Sequence, residues 1–435
     1  MFTILALALA GLQPGAVCDL RIENGQVWNG EAFEAANLEV SGAMIVDLPE
    51  AECTTVIDAA GQFLSPAFGE GHSHNVETAW LFPSVNQRHL EEGVYYVQNM
   101  NARASTVAQL GAQPDQPDTI DVSFAMGGLT SFRGHPDLSY TLFLSSLLYG
   151  GADRSALVED AFHTVESVDD IGPALDRLEA DGADFVKVFL ENSERFAANN
   201  AWLADDANWE MLVNQIQSGE LEGDALVDRL TEIGTGLNPD LVAPIVEAAH
   251  ARGLRVMAHV GSAFDFEVAV RAGVDAMAHL PGPYLAEGER IEDVELSPEI
   301  IAEAAERGLT VIATANVRPE FVRPETADTV YDMQRQNIRA LLEGGVPVLI
   351  GTDRWNIMSF EEVRFLVEQN MMSPQEAYEA WIATGRQIFP DRAIGCLQAS
   401  CEADILVFAS NPGVSLDGLQ SLQMRIKQGV VLGDT

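Results

Sequence analysis

The chain has 435 residues, 47% of them apolar and 21% charged, and 24 Lys and Arg against 66 Asp and Glu give a formal charge of −42. This is the composition of a folded globular protein, long enough to bury a sizeable core without staples, and it excludes a disordered chain. So large an excess of acid repels phosphate backbones and anionic headgroups, which argues against nucleic acid or a membrane surface as partner.

At the amino end, Phe2 to Leu12 is an apolar run too short to span a bilayer, followed by the helix breakers Pro14 and Gly15. Residues 1–17 therefore read as a signal peptide that lacks a basic start, and a periplasmic or extracellular protein is expected. An apolar arm packed on a cytoplasmic protein is the other reading. A lipid anchor on Cys18 is disfavoured, because Val17 fits poorly before it. No other stretch is apolar enough to cross a membrane.

From Cys18 to Ala59, polar and apolar residues alternate between Asn-Gly and Ser-Gly turns, and the same style returns after Gly395 in ADILVFASNP and IKQGVVL. Residues 18–62 and 395–435 are thus expected to form one small β-sandwich built from both chain termini. All four cysteines lie in these ends. Cys18 and Cys53 each open a strand, and Cys396 and Cys401 flank the short turn LQAS. Two disulfides on those pairs agree with an oxidising compartment, and four free thiols are the alternative.

Residues 63–394 read differently. Eight apolar segments recur with helical patterns between them: FLSPAF (63–68), VYYVQNM (94–100), DVSFAMG (121–127), FVKVFL (185–190), RVMAHV (255–260), AMAHL (276–280), TVIATAN (310–316) and VLIGTD (348–353). Strand alternating with helix predicts an α/β fold with a parallel sheet, and the count is that of a (β/α)8 TIM barrel. A doubly wound open sheet is the alternative, but no glycine-rich phosphate loop follows the first strand. Residues 191–237 are too long for an ordinary connection, and are read as a lid over the barrel mouth or as a surface elaboration.

Barrel enzymes carry their chemistry at the carboxyl ends of strands. Strand one finishes in His72-Ser73-His74, whose i, i+2 spacing puts both imidazoles on one face. His259 and His279 end strands five and six, and Asp353 ends strand eight. Any one of these could be a satisfied core histidine or a helix cap. Together they suit zinc or a related divalent metal, with manganese and cobalt open on ligand type. Lys187 sits inside FVKVF, in a chain whose only other lysine is Lys427. A buried ammonium is costly, whereas a neutral amine can take up CO2 and become a carbamate whose two oxygens bridge two metals.

These motifs resemble the metal-dependent amidohydrolase superfamily. VIDAAGQFLSPAFGEGHSH resembles its barrel entry, GADFVKVFL its lysine strand, RVMAHVGSAFDFEVAVRAGVDAMAHLPG its two-histidine segment, and VLIGTD its terminal aspartate. The likeness is strongest to the binuclear branch of imidazolonepropionase-like enzymes and metal-dependent prolidases. It implies that His72, His74 and Asp353 hold one metal ion and His259 and His279 the other, bridged by carboxylated Lys187 and a hydroxide. It also implies hydrolysis of a C–N bond (amide, peptide-like or cyclic amide) in a small-molecule substrate, with Asp353 as the proton carrier. Homo-oligomers are common among such relatives. The chain departs from the pattern in GEGHSHN, in Arg354-Trp355 after the aspartate, and in LENSERF after the lysine strand.

His135, in FRGHP, and Arg354 are candidate substrate-binding residues. Arg133 and Arg195 also follow barrel strands and could hold a substrate carboxylate, and Tyr140 and Trp355 could wall a pocket. A lactonase or phosphotriesterase on the same metals is the competing chemistry. A mononuclear deaminase has no use for Lys187, and a non-catalytic binding module would be expected to have lost a ligand.

Overall fold

The alternating amino-terminal sequence forms five short strands in the computed structural model, which describes residues 17–110, 116–282, 290–316 and 324–433. All of the expected signal segment except Val17 lies outside the described residues. The five strands are β1 (Cys18–Trp28), β2 (Phe33–Ser41), β3 (Met44–Val46), β4 (Cys53–Asp58) and β5 (Phe63–Pro66). Ser41-Gly42 makes the expected turn between β2 and β3. Asn24-Gly25 does not turn the chain: the register of β1 on β2 shifts there, and Asn24 takes φ +62° within a bulge.

Ten further strands occupy the middle of the chain. They are β6 (Phe68–Ser73), β7 (Val94–Asn99), β8 (Asp121–Phe124), β9 (Gly128–Thr130), β10 (Phe162–Thr164), β11 (Phe185–Leu190), β12 (Arg255–Val260), β13 (Ala276–Met277), β14 (Thr310–Ala313) and β15 (Val348–Ile350). Every ladder among them is parallel, in the orders β6-β7-β8 and β10-β9-β11-β12-β13-β14-β15. The helices between them bury the apolar stripe their sequences predict. Val242–His250 buries Val242, Ile245, Val246 and Ala249, and Pro298–Glu306 buries Ile300, Ile301 and Ala304. The chain is thus an α/β protein.

The two parallel sheets meet at both ends. The Asp184 amide donates to the Phe124 carbonyl at 2.8 Å between β8 and β11, and the Asp353 amide donates to the His72 carbonyl at 2.8 Å between β15 and β6. Glycine makes the second seam this tight. A Cβ on Gly351 would lie 2.8 Å from the His72 amide nitrogen, and one on Gly71 would lie 2.9 Å from the Ile350 carbonyl oxygen.

The carboxyl end supplies β16 (Ile405–Phe408), β17 (Leu422–Lys427) and β18 (Val430–Val431). They join the amino-terminal strands in one sheet ordered β18-β17-β16-β5-β1-β2-β3, with β4 also paired to β1. Leu20, Ile22, Val40, Leu64, Ile405, Val407 and Ile426 form its buried core. FLSPAF, expected as the first barrel strand, splits at this boundary: β5 pairs with β1 and β16, and the strand that joins the parallel ladders is the next one, β6. Both cysteine pairs are disulfides. Cys18–Cys53 joins register neighbours on β1 and β4, and Cys396–Cys401 closes a loop before β16.

The insertion is ordered structure. After a single turn at Ser193–Arg195 come helices Phe196–Ala204, Asp206–Ser218 and Gly223–Ile233, packed on a small core of Leu203, Leu212, Ile233 and Leu138. Among the described residues, no helix is long and apolar enough to cross a membrane.

Candidate metal centre

β6 is buried at every position, so its polar residues reach the interior, not solvent. His72 is 1% exposed, and its Nδ1 lies 2.8 Å from the Ala278 carbonyl oxygen. That contact leaves Nε2 facing inward, 3.2 Å from Asp353 Oδ1 and 3.3 Å from His74 Nε2. His74, just past the strand, places its own Nε2 3.0 Å from the same Asp353 oxygen. Asp353 stands in the left-handed region at φ +51°, a conformation an aspartate tolerates.

His279 links this group to the next. Its Nδ1 is 3.4 Å from Asp353 Oδ2, and its Nε2 is 2.7 Å from His259 Nδ1. Ligating atoms of His72, His279 and Asp353 lie within 4.8 Å of one another. Of the six predicted donors, the four histidines and Asp353, carried in or just past four separate strands, therefore converge. The division into two sets, with His279 paired only to His259, is less distinct than the resemblance implied, because His279 faces both.

Lys187 projects from the middle of β11 and is 1% exposed. Its Nζ has no hydrogen-bond partner and lies 5.3 Å from the centre of the Phe189 ring. Burial pulls its pKa down to about 7, against the opposing pull of the Asp353 charge. Burial likewise lowers His72 to about 4 and holds His259 and His279 well below the usual imidazole range. His74 differs: burial works to lower it, but hydrogen bonds to Asp353 and Glu77 raise it to about 9. The Asp353 carboxyl, despite burial, is held well below its ordinary value by His72 and His279.

Three imidazoles held neutral by burial, with His74 drawn toward its charged form by two carboxylates, surround an ionised carboxylate beside an orphaned buried amine, and these residue types fit divalent cations once His74 gives up its proton.

The outer residues divide. His135 reaches the site: its ring centre is 4.6 Å from that of His259, and its Nδ1 is 3.1 Å from Ser139 Oγ and 3.9 Å from Glu191 Oε2. Trp355 stacks on His74 with ring centres 5.3 Å apart. Arg354 donates to the Asn316 carbonyl oxygen at 3.2 Å. Arg133 is engaged elsewhere, donating to the Leu203 carbonyl and to Asp206 at 2.9 Å each and lying over Trp209, so it ties down the insertion. Arg195 donates to Asn192 Oδ1 at 3.1 Å within the same insertion. Tyr140 is buried at 3% exposure.

Two buried acids escaped the sequence reading. Glu70 accepts the amides of His72 and Thr352 at 2.9 Å each across the β6–β15 seam, and burial raises its pKa to about 8. Glu77 lies 2.7 Å from His74 Nδ1. Glu70 sits two residues before His72 on a strand with no exposed position, which was the available signal; Glu77 had none, because its burial depends on residues far along the chain.

A model described as the amidohydrolase family matches residues 206–435. An uncharacterised protein of Mycobacterium bovis (strain ATCC BAA-935 / AF2122/97) is 26% identical over 235 residues, which are 49% of this chain and 57% of that protein. The chain thus spans little more than half the length of the curated relatives it matches. Among solved structures, it is similar to a Xaa-Pro dipeptidase with bound methionine in the active site (TM-score 0.68, 17% identity, 95% of this chain and 100% of that one). It is also similar to A. niger ochratoxinase (TM-score 0.69, 16% identity, 95% of this chain and 96% of that one). At such identities the likeness is one of fold.

Proposed function

The chain belongs to the amidohydrolase family, and from that premise we propose that it hydrolyses a C–N bond of a small amide, peptide-like or cyclic amide substrate at a binuclear metal centre. The observation that carries this reading is the convergence of His72, His74, His259, His279 and Asp353 from four strands around the unpartnered amine of Lys187. The names of the dipeptidase and ochratoxinase support amide-like substrates. We read the two parallel sheets as arcs of one (β/α)8 barrel closed at the two seams, with the terminal sheet as a second domain. The two disulfides support an exported protein.

Bound divalent ions, zinc first among them, supply Lewis acidity and a water acidic enough to ionise near neutral pH. The chain's own residues do the rest. The four histidines, Asp353 and Lys187 would hold the ions. Lys187, as the neutral amine, would add CO2 and release a proton, and the resulting carbamate would offer two oxygens sharing one negative charge where the ammonium would have been repelled. Asp353 takes the proton of the attacking water and delivers it to the leaving nitrogen. His135 and Arg354 orient the substrate at the mouth.

The test is metal content per chain, with and without bicarbonate, for the native protein and Lys187→Ala. Two ions in the native protein, falling to one or none in the variant, are expected. One ion in both would replace the binuclear centre with a mononuclear one, and no ion in either would overturn the reading. A panel of amides, lactones and phosphotriesters then separates the competing chemistries.

A further inference from the structure

Metal binding explains the imidazoles but leaves Glu77, a 1% exposed acid in the loop after β6, without a function. Its Oε1 lies 2.7 Å from His74 Nδ1. The Tyr149 hydroxyl donates to its Oε2 at 2.9 Å. Tyr149 in turn stacks on Tyr140, with ring centres 5.9 Å apart and planes 9° from parallel, and Asn101 Nδ2 donates to the Tyr140 hydroxyl at 2.8 Å. On the other side, Trp355 covers the His74 ring. Burying a carboxylate is costly, and here its oxygens are spent on an imidazole and on the tyrosine that braces it.

An imidazole whose Nδ1 is fixed by a carboxylate can offer only Nε2 to a third group. His74 Nε2 points at Asp353 Oδ1 and His72 Nε2, at 3.0 and 3.3 Å. We propose that Glu77 is a positioning residue for the metal centre: it locks His74 in the tautomer and rotation that present Nε2, and Tyr149 holds Glu77 in place. Outer carboxylates of this kind raise ligand basicity and fix ring orientation. The inference rests on the metal-binding reading above and adds to it a residue that touches no ion.

The experiment measures Zn2+ affinity by chelator competition, and the visible spectrum of the Co2+-loaded protein, for the full native chain, Glu77→Gln, Glu77→Ala and Tyr149→Phe. Glu77→Ala is expected to weaken Zn2+ binding by about 10–100-fold and to alter the Co2+ spectrum. Glu77→Gln should lose less, since an amide can still bond Nδ1, and Tyr149→Phe less again. Folded Glu77 variants with native affinity and spectrum would overturn the role. Where neither folds, Tyr149→Phe decides, native affinity there overturning it and a severalfold loss supporting it. A native chain that binds no ion at all would sink the metal reading and this inference together, whereas native binding with unaltered variants would sink only the role of Glu77.

Discussion

His72 and His74 are two residues apart on the same side of one chain segment, yet they hold opposite charge preferences. His72 accepts the neighbourhood of a backbone carbonyl and is pressed toward the neutral form by burial. His74 lies between two carboxylates and is drawn toward the charged form. Asp353 is the residue both share, which makes it the most exposed to substitution. Asp353→Asn keeps the volume and one oxygen but removes the proton acceptor. Turnover should fall by about 10²–10⁴-fold while metal content stays near native. Near-native kcat in that variant would remove Asp353 from the proposed proton path.

One partly buried acid joins two helices at their ends. Glu92 follows the helix Phe82–Glu91 and accepts the Phe360 amide at 3.3 Å, at the start of the helix Ser359–Glu368. Burial raises its pKa to about 7, against 4.5 in an unfolded chain. A group raised on folding stabilises the protein fully below its unfolded value, and that contribution is lost as pH rises through the folded value. The native Tm should therefore drop more than that of Glu92→Gln between about pH 5 and about pH 8. Parallel pH profiles would show that this carboxyl stays ionised throughout. The insertion helices are held by a different device, the cation Arg133 stacked on Trp209 and bonded to Asp206, so an arginine that by its place in the sequence could have held a substrate carboxylate is engaged in the architecture.

Across the whole molecule, the parallel-stranded part and the terminal sheet share a buried ion cluster. Asp121 on β8 accepts Lys427 of β17 at 3.0 Å and Arg392 at 2.7 Å, and Arg392 also meets Glu402. Both lysines of the chain are thus interior, and the surface cations are arginines. A charge of −42 makes the folded state repel itself. Salt screens that repulsion, with a Debye length of about 10 Å at 0.1 M, whereas the exposed pairs it also weakens, such as Arg177–Asp181, are worth only about 0–1 kcal/mol. Tm should rise as NaCl is raised from about 0.05 to about 1 M. A falling Tm would mean that the surface pairs outweigh the net repulsion.

The histidines and the aspartate that converge were legible from residue type and place, because a strand's apolar run advertises its burial and a polar residue at its end stands out. Strand and helix periodicity likewise announced the α/β middle, and alternation announced strands at both ends. Three features needed the folded chain. Asn24-Gly25 reads as a turn locally, yet the pairing of β2 and β4 on either side of β1 stretches it into a bulge. FLSPAF reads as one strand, but two different sheets claim its neighbours, and the chain changes sheet at Ala67. Glu77 is burdened with no local pattern at all; only when the segment carrying Tyr149 folds over it does an exposed-looking acid become the brace of a histidine. Local sequence specifies what each segment can bury, whereas the partner that buries it lies tens or hundreds of residues away and is settled by packing.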